Sequence, residues 1–269
     1  MRPVYRTWML PWLGLAIAVG LWPMLLSAAD RGAKSAAASQ AAETVDMFAA
    51  IEKGQIDVKL IPKDSKQSRV IIQNKTDKPL SVKLPATFAG VPVLAQGFGA
   101  GGMGGDGGGR GGGGGGNQAV GGGMGGGGMG GGGMGGGGGF FNVEPEKVGQ
   151  FKAPTVCLEH GKAEPRPAVA YEIKPLDKVS DKPEVQELCR MLGEGTVPQR
   201  AAQLATWHFA NGMSWEQLAA EKYHFANGGT APAYSPQELQ AAMQIAGVAS
   251  KAATEREKAA PKSDSMLQN

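Results

Sequence analysis

The sequence is poor in the residues that hold metals and carry redox chemistry. Three histidines (His160, His208, His224) and two cysteines (Cys157, Cys189) occur among 269 residues. No two histidines stand three or four positions apart, and neither HExxH nor CxxC occurs, so the ligand spacing of a zinc site is missing. The histidines read as structural or surface residues. GxxxxGK[ST] and GxSxG are missing too, which leaves a phosphate-cradling loop and a hydrolase elbow without support. A surplus of charge is also missing. Without its first 29 residues the chain carries 25 basic and 24 acidic side chains. Such a near-neutral chain lacks the electrostatic footprint of a nucleic-acid binder. No metal, no cofactor and no nucleic-acid partner is expected.

What is present begins with an apolar leader, "MRPVYRTWMLPWLGLAIAVGLWPMLLSAAD". Arg2 and Arg6 form a basic start. Residues 7–26 carry no charge, and Ser27-Ala28-Ala29 places small residues before Asp30. This is the pattern of a Sec-type signal peptide over residues 1–29, with export to the periplasm, surface or medium as its consequence. An uncleaved leader would instead anchor the chain to the inner membrane, because the apolar run nearly spans a bilayer. That segment is the only expected contact with a membrane. With two cysteines in an exported chain, a Cys157–Cys189 disulfide is one option, and two reduced buried thiols are the other.

Glycine is abundant in one place only. Of the 43 residues over 97–139, 31 are glycine, and Met124, Met129 and Met134 recur every five residues. Glycine coil loses much entropy on ordering and brings no apolar side chain, so 97–139 is expected to be a disordered loop. The loop methionines, Met103 included, could offer thioethers to a soft metal ion, although their spacing also follows from simple repeat expansion.

β pattern stands on both sides of that segment. In "IDVKLIPKD", Ile56, Val58 and Leu60 alternate with Asp57 and Lys59. Residues 69–73 and 80–84, joined by Asn74-Lys75-Thr76-Asp77, read as a hairpin. Residues 86–96 form one more strand or edge segment, with Pro92 confined to an edge or bulge. Phe140, Phe141 and Val143, then Phe151 and residues 155–158, resume the pattern, and "AVAYEIKPL" ends it. A short helix is expected near Met47, Phe48 and Ile51. From Asp181 the period becomes helical. Capping boxes are read at Asp181…Glu184, Thr196…Gln199, Ser214…Gln217 and Ser235…Glu238. They predict helices at about 183–192, 197–210, 215–222 and 236–258.

The fold class expected is α+β. A linker (30–44) leads to a β-sandwich-like domain (45–176) interrupted by the long glycine loop. A small helical subdomain (181–258) and a disordered tail (259–269) follow.

Two resemblances add to this. "FFNVEPEKVGQFKAPTVCLEHGK" after a glycine run, with "VQELCRMLGEGTVPQRAAQLATWHFANGMSWEQLA", resembles a group of exported planctomycete-type proteins. Their resemblance implies a signal peptide, a β-sandwich split by a glycine-rich loop, and a helical tail. It implies no activity. The second is shorter. Cys157-Leu158 on a strand and Gln203-Leu204-Ala205-Thr206-Trp207 on a helix are similar to the thioester domains of bacterial surface adhesins. In that family Ala202 would be a threonine and Leu158 an aromatic residue. The similarity implies that Cys157 gives the sulfur and Gln203 the acyl group of an internal thioester, which Trp207 shields and which acylates a partner's amine. Read from the residues alone, Gln203 is a polar position on a half-buried helix and Trp207 a docking residue. The function expected is non-enzymatic: an exported envelope or cell-surface protein serving structure or adhesion, with an unidentified surface partner. A thioester adhesin and a soft-metal binder are the alternatives.

Overall fold

A computed structural model describes residues 42–93, 116–125 and 139–259. The leader, most of the linker, most of the glycine segment and nearly all of the tail lie outside the described residues. Among the described residues eleven strands and five α-helices occur in the order β1 (Glu43–Asp46), α1 (Met47–Glu52), β2 (Ile56–Pro62), β3 (Gln67–Asn74), β4 (Leu80–Lys83), β5 (Thr87–Pro92), β6 (Val120–Gly123), β7 (Phe140–Val143), β8 (Val148–Cys157), β9 (Tyr171–Lys174), α2 (Pro183–Gly193), α3 (Gln199–Asn211), α4 (Trp215–Ala220), β10 (Lys222–His224), β11 (Thr230–Pro232) and α5 (Pro236–Ala259), with one 3-10 turn at Leu176–Lys178. The chain is thus α+β. Among the described residues, no helix is long and apolar enough to cross a membrane.

Six strands close into a barrel in the order β2-β3-β8-β6-β5-β9, and β9 returns to β2 through the Leu60–Tyr171 pair. The expected sandwich is corrected here. A sandwich leaves edge strands, whereas closure removes them. Alternation sends Leu60, Val70, Ile72, Phe88, Val120, Ala153, Tyr171 and Ile173 inward. The second sheet, β1-β4-β7, and α1 add Met47, Leu80, Val82, Phe141 and Val143 to the same core.

The expected 69–84 hairpin is not formed. β3 pairs with β2 and β8, while β4 pairs with β1 and β7 in the other sheet. Asn74 sends the chain across. It is fully buried, and its amide donates to the carbonyls of Lys78 (2.7 Å), Val143 (3.1 Å) and Glu144 (3.2 Å), while its oxygen accepts from Thr76 N–H at 2.9 Å. These bonds tie the turn to β7 instead of back to β3.

Part of the glycine segment is ordered, which corrects the expectation of one disordered loop over 97–139. Residues 116–125 are described, and β6 is a fully buried barrel strand made of Val120 and three glycines. Glycine is required there by close approach of α2. A Cβ on Gly121 would lie 2.9 Å from the Cys189 sulfur, and one on Gly123 would lie 2.7 Å from the Gly193 Cα and closer still to the Cys189 carbonyl oxygen. The missing side chains let a helix lie directly on a strand. The lost strand propensity is offset by pairing on both edges, with β5 and with β8.

The helices lie where the periodicity places them, with two corrections at their starts. Ser214–Gln217 and Ser235–Glu238 form reciprocal boxes. α2 and α3 have Lys182 and Pro198 at the N-cap and no side-chain cap. Gln199 is not available to a box, because its amide reaches strand β8. Gly212 ends α3 in the left-handed region, at φ 66°. The β10–β11 ribbon, with Tyr223 and Phe225 exposed, carries too short an alternation to be read beforehand.

Candidate functional site: the seam between strand β8 and helix α3

Strand β8 is longer than its neighbour β3. The last β3 pair is Gln67 with Pro154, and Thr155 N–H still donates to the Lys66 carbonyl at 2.9 Å. Beyond that point the edge has no strand beside it. Residues 155–157 are buried, so their backbone groups need partners. Helix α3 supplies them from side chains spaced four apart. Gln199 Nε2 donates to the Thr155 carbonyl at 3.0 Å. Gln203 Oε1 accepts from Cys157 N–H at 2.7 Å, and Gln203 Nε2 donates to the Cys157 carbonyl at 2.9 Å. One turn on, Trp207 meets the His160 ring edge-to-face at 4.6 Å. After another turn, Asn211 Oδ1 accepts from His160 N–H at 3.2 Å. The amide of Gln203 thus takes the place of the next residue of β3. The other edge of β8 is held by β6, through Val120 opposite Cys157 and Leu158 N–H donating to Ala119.

The structure therefore brings Cys157, Gln203 and the neighbourhood of Trp207 together. Cys157 is fully buried and Gln203 is 6% exposed. The Trp207 indole N–H and the Thr206 hydroxyl are buried with no hydrogen-bond partner among the described residues. Burial above all, then the Glu164 and Asp64 carboxylates, pushes the Cys157 thiol above the ordinary range, so it stays protonated. Burial alone pushes Cys189 up to about 12. Each cysteine is a free thiol. Cys157 has the inward parity of Ala153, whereas Cys189 packs with Val156 and Leu158 on the helix side. The barrel wall stands between the two thiols.

The remaining singled-out residues do not converge. His208 Nδ1 contacts the Met213 carbonyl at 2.7 Å and its ring stacks on Trp215 at 4.3 Å. His224 is exposed on β10. Among the described residues no group of three or more histidine, cysteine or acidic side chains is placed to hold a metal ion. Met124 is buried in the barrel core. Met103, Met129 and Met134 lie outside the described residues.

A second polar node joins α3 to α5. Arg200 pairs with Glu238, donates to the Ala233 carbonyl at 2.6 Å and lies 4.9 Å from the Tyr234 ring centre. The Arg200 hydrogen bond first, and the Ser235 N–H second, hold the Glu238 carboxyl at about 2, well below its ordinary 4.5. A depressed folded value gives stability that is complete above the ordinary pKa and lost as pH falls through the folded one. With partial exposure discounted, roughly 1–2 kcal/mol is expected to disappear between pH 4.5 and 2. Acid denaturation of Glu238→Gln checks this. Its stability is expected to lose less over that window than the parent's, and an equal loss would count against the node.

Gln199 reads from the sequence as a capping residue and Asn74 as a turn residue, so their bonds to β8 and β7, and the role of Asn211, were not anticipated. The polar residues at 199, 203 and 211 share one stripe of helix α3 at a spacing of four or eight, and that was the available signal. Compared with protein-family models, with curated proteins and with solved structures, the chain matches none.

Proposed function

We propose that the protein is an exported envelope or cell-surface protein that works by binding, in structure or adhesion, and not by turnover. The observation that carries this is the seam. Gln203 gives both atoms of its amide to the Cys157 backbone, so the polar residues with the strongest chemical pattern serve to lock the helices onto the barrel. A closed barrel whose one strandless stretch of edge is latched by α3 is a rigid platform for presenting a surface. The leader supplies export, and its retention would anchor the platform to the inner membrane. Fractionation of the native cells with N-terminal sequencing tests this. The chain is expected in the envelope or the medium, beginning at Asp30. A cytosolic chain with its leader intact would refute it.

A second function rests on the nearness of the Gln203 amide to Cys157, whose backbone it bonds in a buried place. The Cys157 thiol would add to the Gln203 side-chain carbon, ammonia would leave, and a thioester would remain. A partner's amine would then displace the thiol and form an amide. Covalent uptake of methylamine, lost in Cys157→Ala, would establish that chemistry.

A further inference from the structure

The outer face of the β2–β3–β8 wall gathers cations that have no acid to pair with. Arg69 and Lys152 are direct cross-strand partners, both exposed, with Ile61 completing their row. Lys59 stands one row away, opposite Ile71, and Lys63 follows the end of β2. Among the described residues, none of these four makes an ion pair. The acids of the region are engaged or distant. Asp64 accepts the N–H groups of Lys66 and Gln67 in the turn, Glu172 pairs with Lys174 at 3.1 Å, and Asp57 lies a row beyond Lys59, opposite Gln73. Like charges in direct register cost a sheet stability, so folding alone does not account for them.

Lys63, Arg69 and Lys152 also line a groove of about 300 Å³, together with Ile61, Gln67 and Pro167. Ser68 borders it too, but its side chain is fully buried with the inward parity of Val70 and Ala153, so its hydroxyl belongs to the barrel interior and not to the groove.

We propose that this groove and its cationic rim bind an acidic polysaccharide, a glycan bearing carboxylate or sulfate groups. The inference rests on the adhesion function above and names its partner's chemistry. Three cations supply the counter-charge, Gln67 offers hydrogen bonds to sugar hydroxyls, and Ile61 with Pro167 offers an apolar patch to the C–H face of a ring. A bilayer surface is met by projecting apolar anchors beside the cations, whereas this wall presents a recess. Duplex nucleic acid needs a broad basic face, which four cations on a near-neutral chain do not make.

Titration of the chain purified from its native cells with polygalacturonate and with dextran sulfate, against uncharged dextran, tests this. Salt-sensitive binding to at least one charged glycan and none to dextran is expected. The Arg69→Glu/Lys152→Glu pair is expected to weaken it about tenfold or more, through loss and reversal of rim charge. Lys251→Glu/Lys258→Glu on α5, with the same change in net charge, is expected to stay within about twofold. Lys59→Glu/Lys63→Glu replaces the first pair if that pair lowers the melting temperature. Equal loss in the rim and α5 variants, no glycan binding, or tighter binding to phosphatidylglycerol vesicles or duplex DNA would overturn the proposal. Location is scored separately. An exported chain that ignores acidic glycans removes the groove's role alone, and a cytosolic chain that binds them removes the adhesion function alone.

Discussion

Gln203→Leu is expected to destabilise the protein by about 2–4 kcal/mol, because it leaves two buried backbone groups of Cys157 without partners. Leucine nearly preserves the volume, so the loss reports hydrogen bonding and not a cavity. No other described strand reaches this edge, since β3 ends its pairing at Pro154. Urea denaturation measures the effect. Gln217→Leu is the contrast, because that amide is exposed and caps α4 alone, and there a loss of about 1 kcal/mol or less is expected. A loss at Gln203 no larger than that at Gln217 would mean that the seam does not hold the helices to the barrel.

Gly123→Ala is the other large effect, about 3 kcal/mol or more, at the upper end of overpacking. The new Cβ would meet the Cys189 carbonyl and, at 2.7 Å, the Gly193 Cα. Both are backbone, so no side chain can turn aside, and α2 must lift from β6. Gly161→Ala, with nothing within 4 Å of its Cβ, serves as the reference for the cost of a positive φ (83°) alone. The melting temperatures of the two variants check this. Near-equal values would show that β6 and α2 do not touch as described. The expectation is specific to the part of the glycine segment that the barrel uses.

The glycine strand also shows where sequence reading fails. Strand pattern is recognised by side chains, and β6 has Val120 as its only one beyond hydrogen. Its glycines exist for the sake of a helix some seventy residues away, and no local pattern carries that information. Alternation made β2, β3, β8 and β9 legible, because their inward faces bury Leu60, Val70, Ala153 and Tyr171. It could not tell a sandwich from a barrel, since both alternate alike and differ only in which edges pair. Asn74 looked like an ordinary turn residue, yet its amide bonds span the two sheets. The capping pattern served α4 and α5 and misled at α3, where Gln199 bonds the Thr155 carbonyl of β8. Cys157 and Gln203 are 46 residues apart and meet. What the sequence did not convey is that the contact runs through the cysteine's backbone, because nothing in it reveals that β8 outlasts β3.

The most direct test of that seam is the intact mass of the mature protein, purified unreduced and then denatured with an alkylating agent. A latch made of hydrogen bonds predicts an undiminished chain that takes up two alkyl groups, one on Cys157 and one on Cys189. A chain lighter by one ammonia that takes up a single group would contradict it, and would place a thioester between Cys157 and Gln203. A chain lighter by two hydrogens that takes up none would contradict it as well, because the two thiols would then be joined through the wall that separates them.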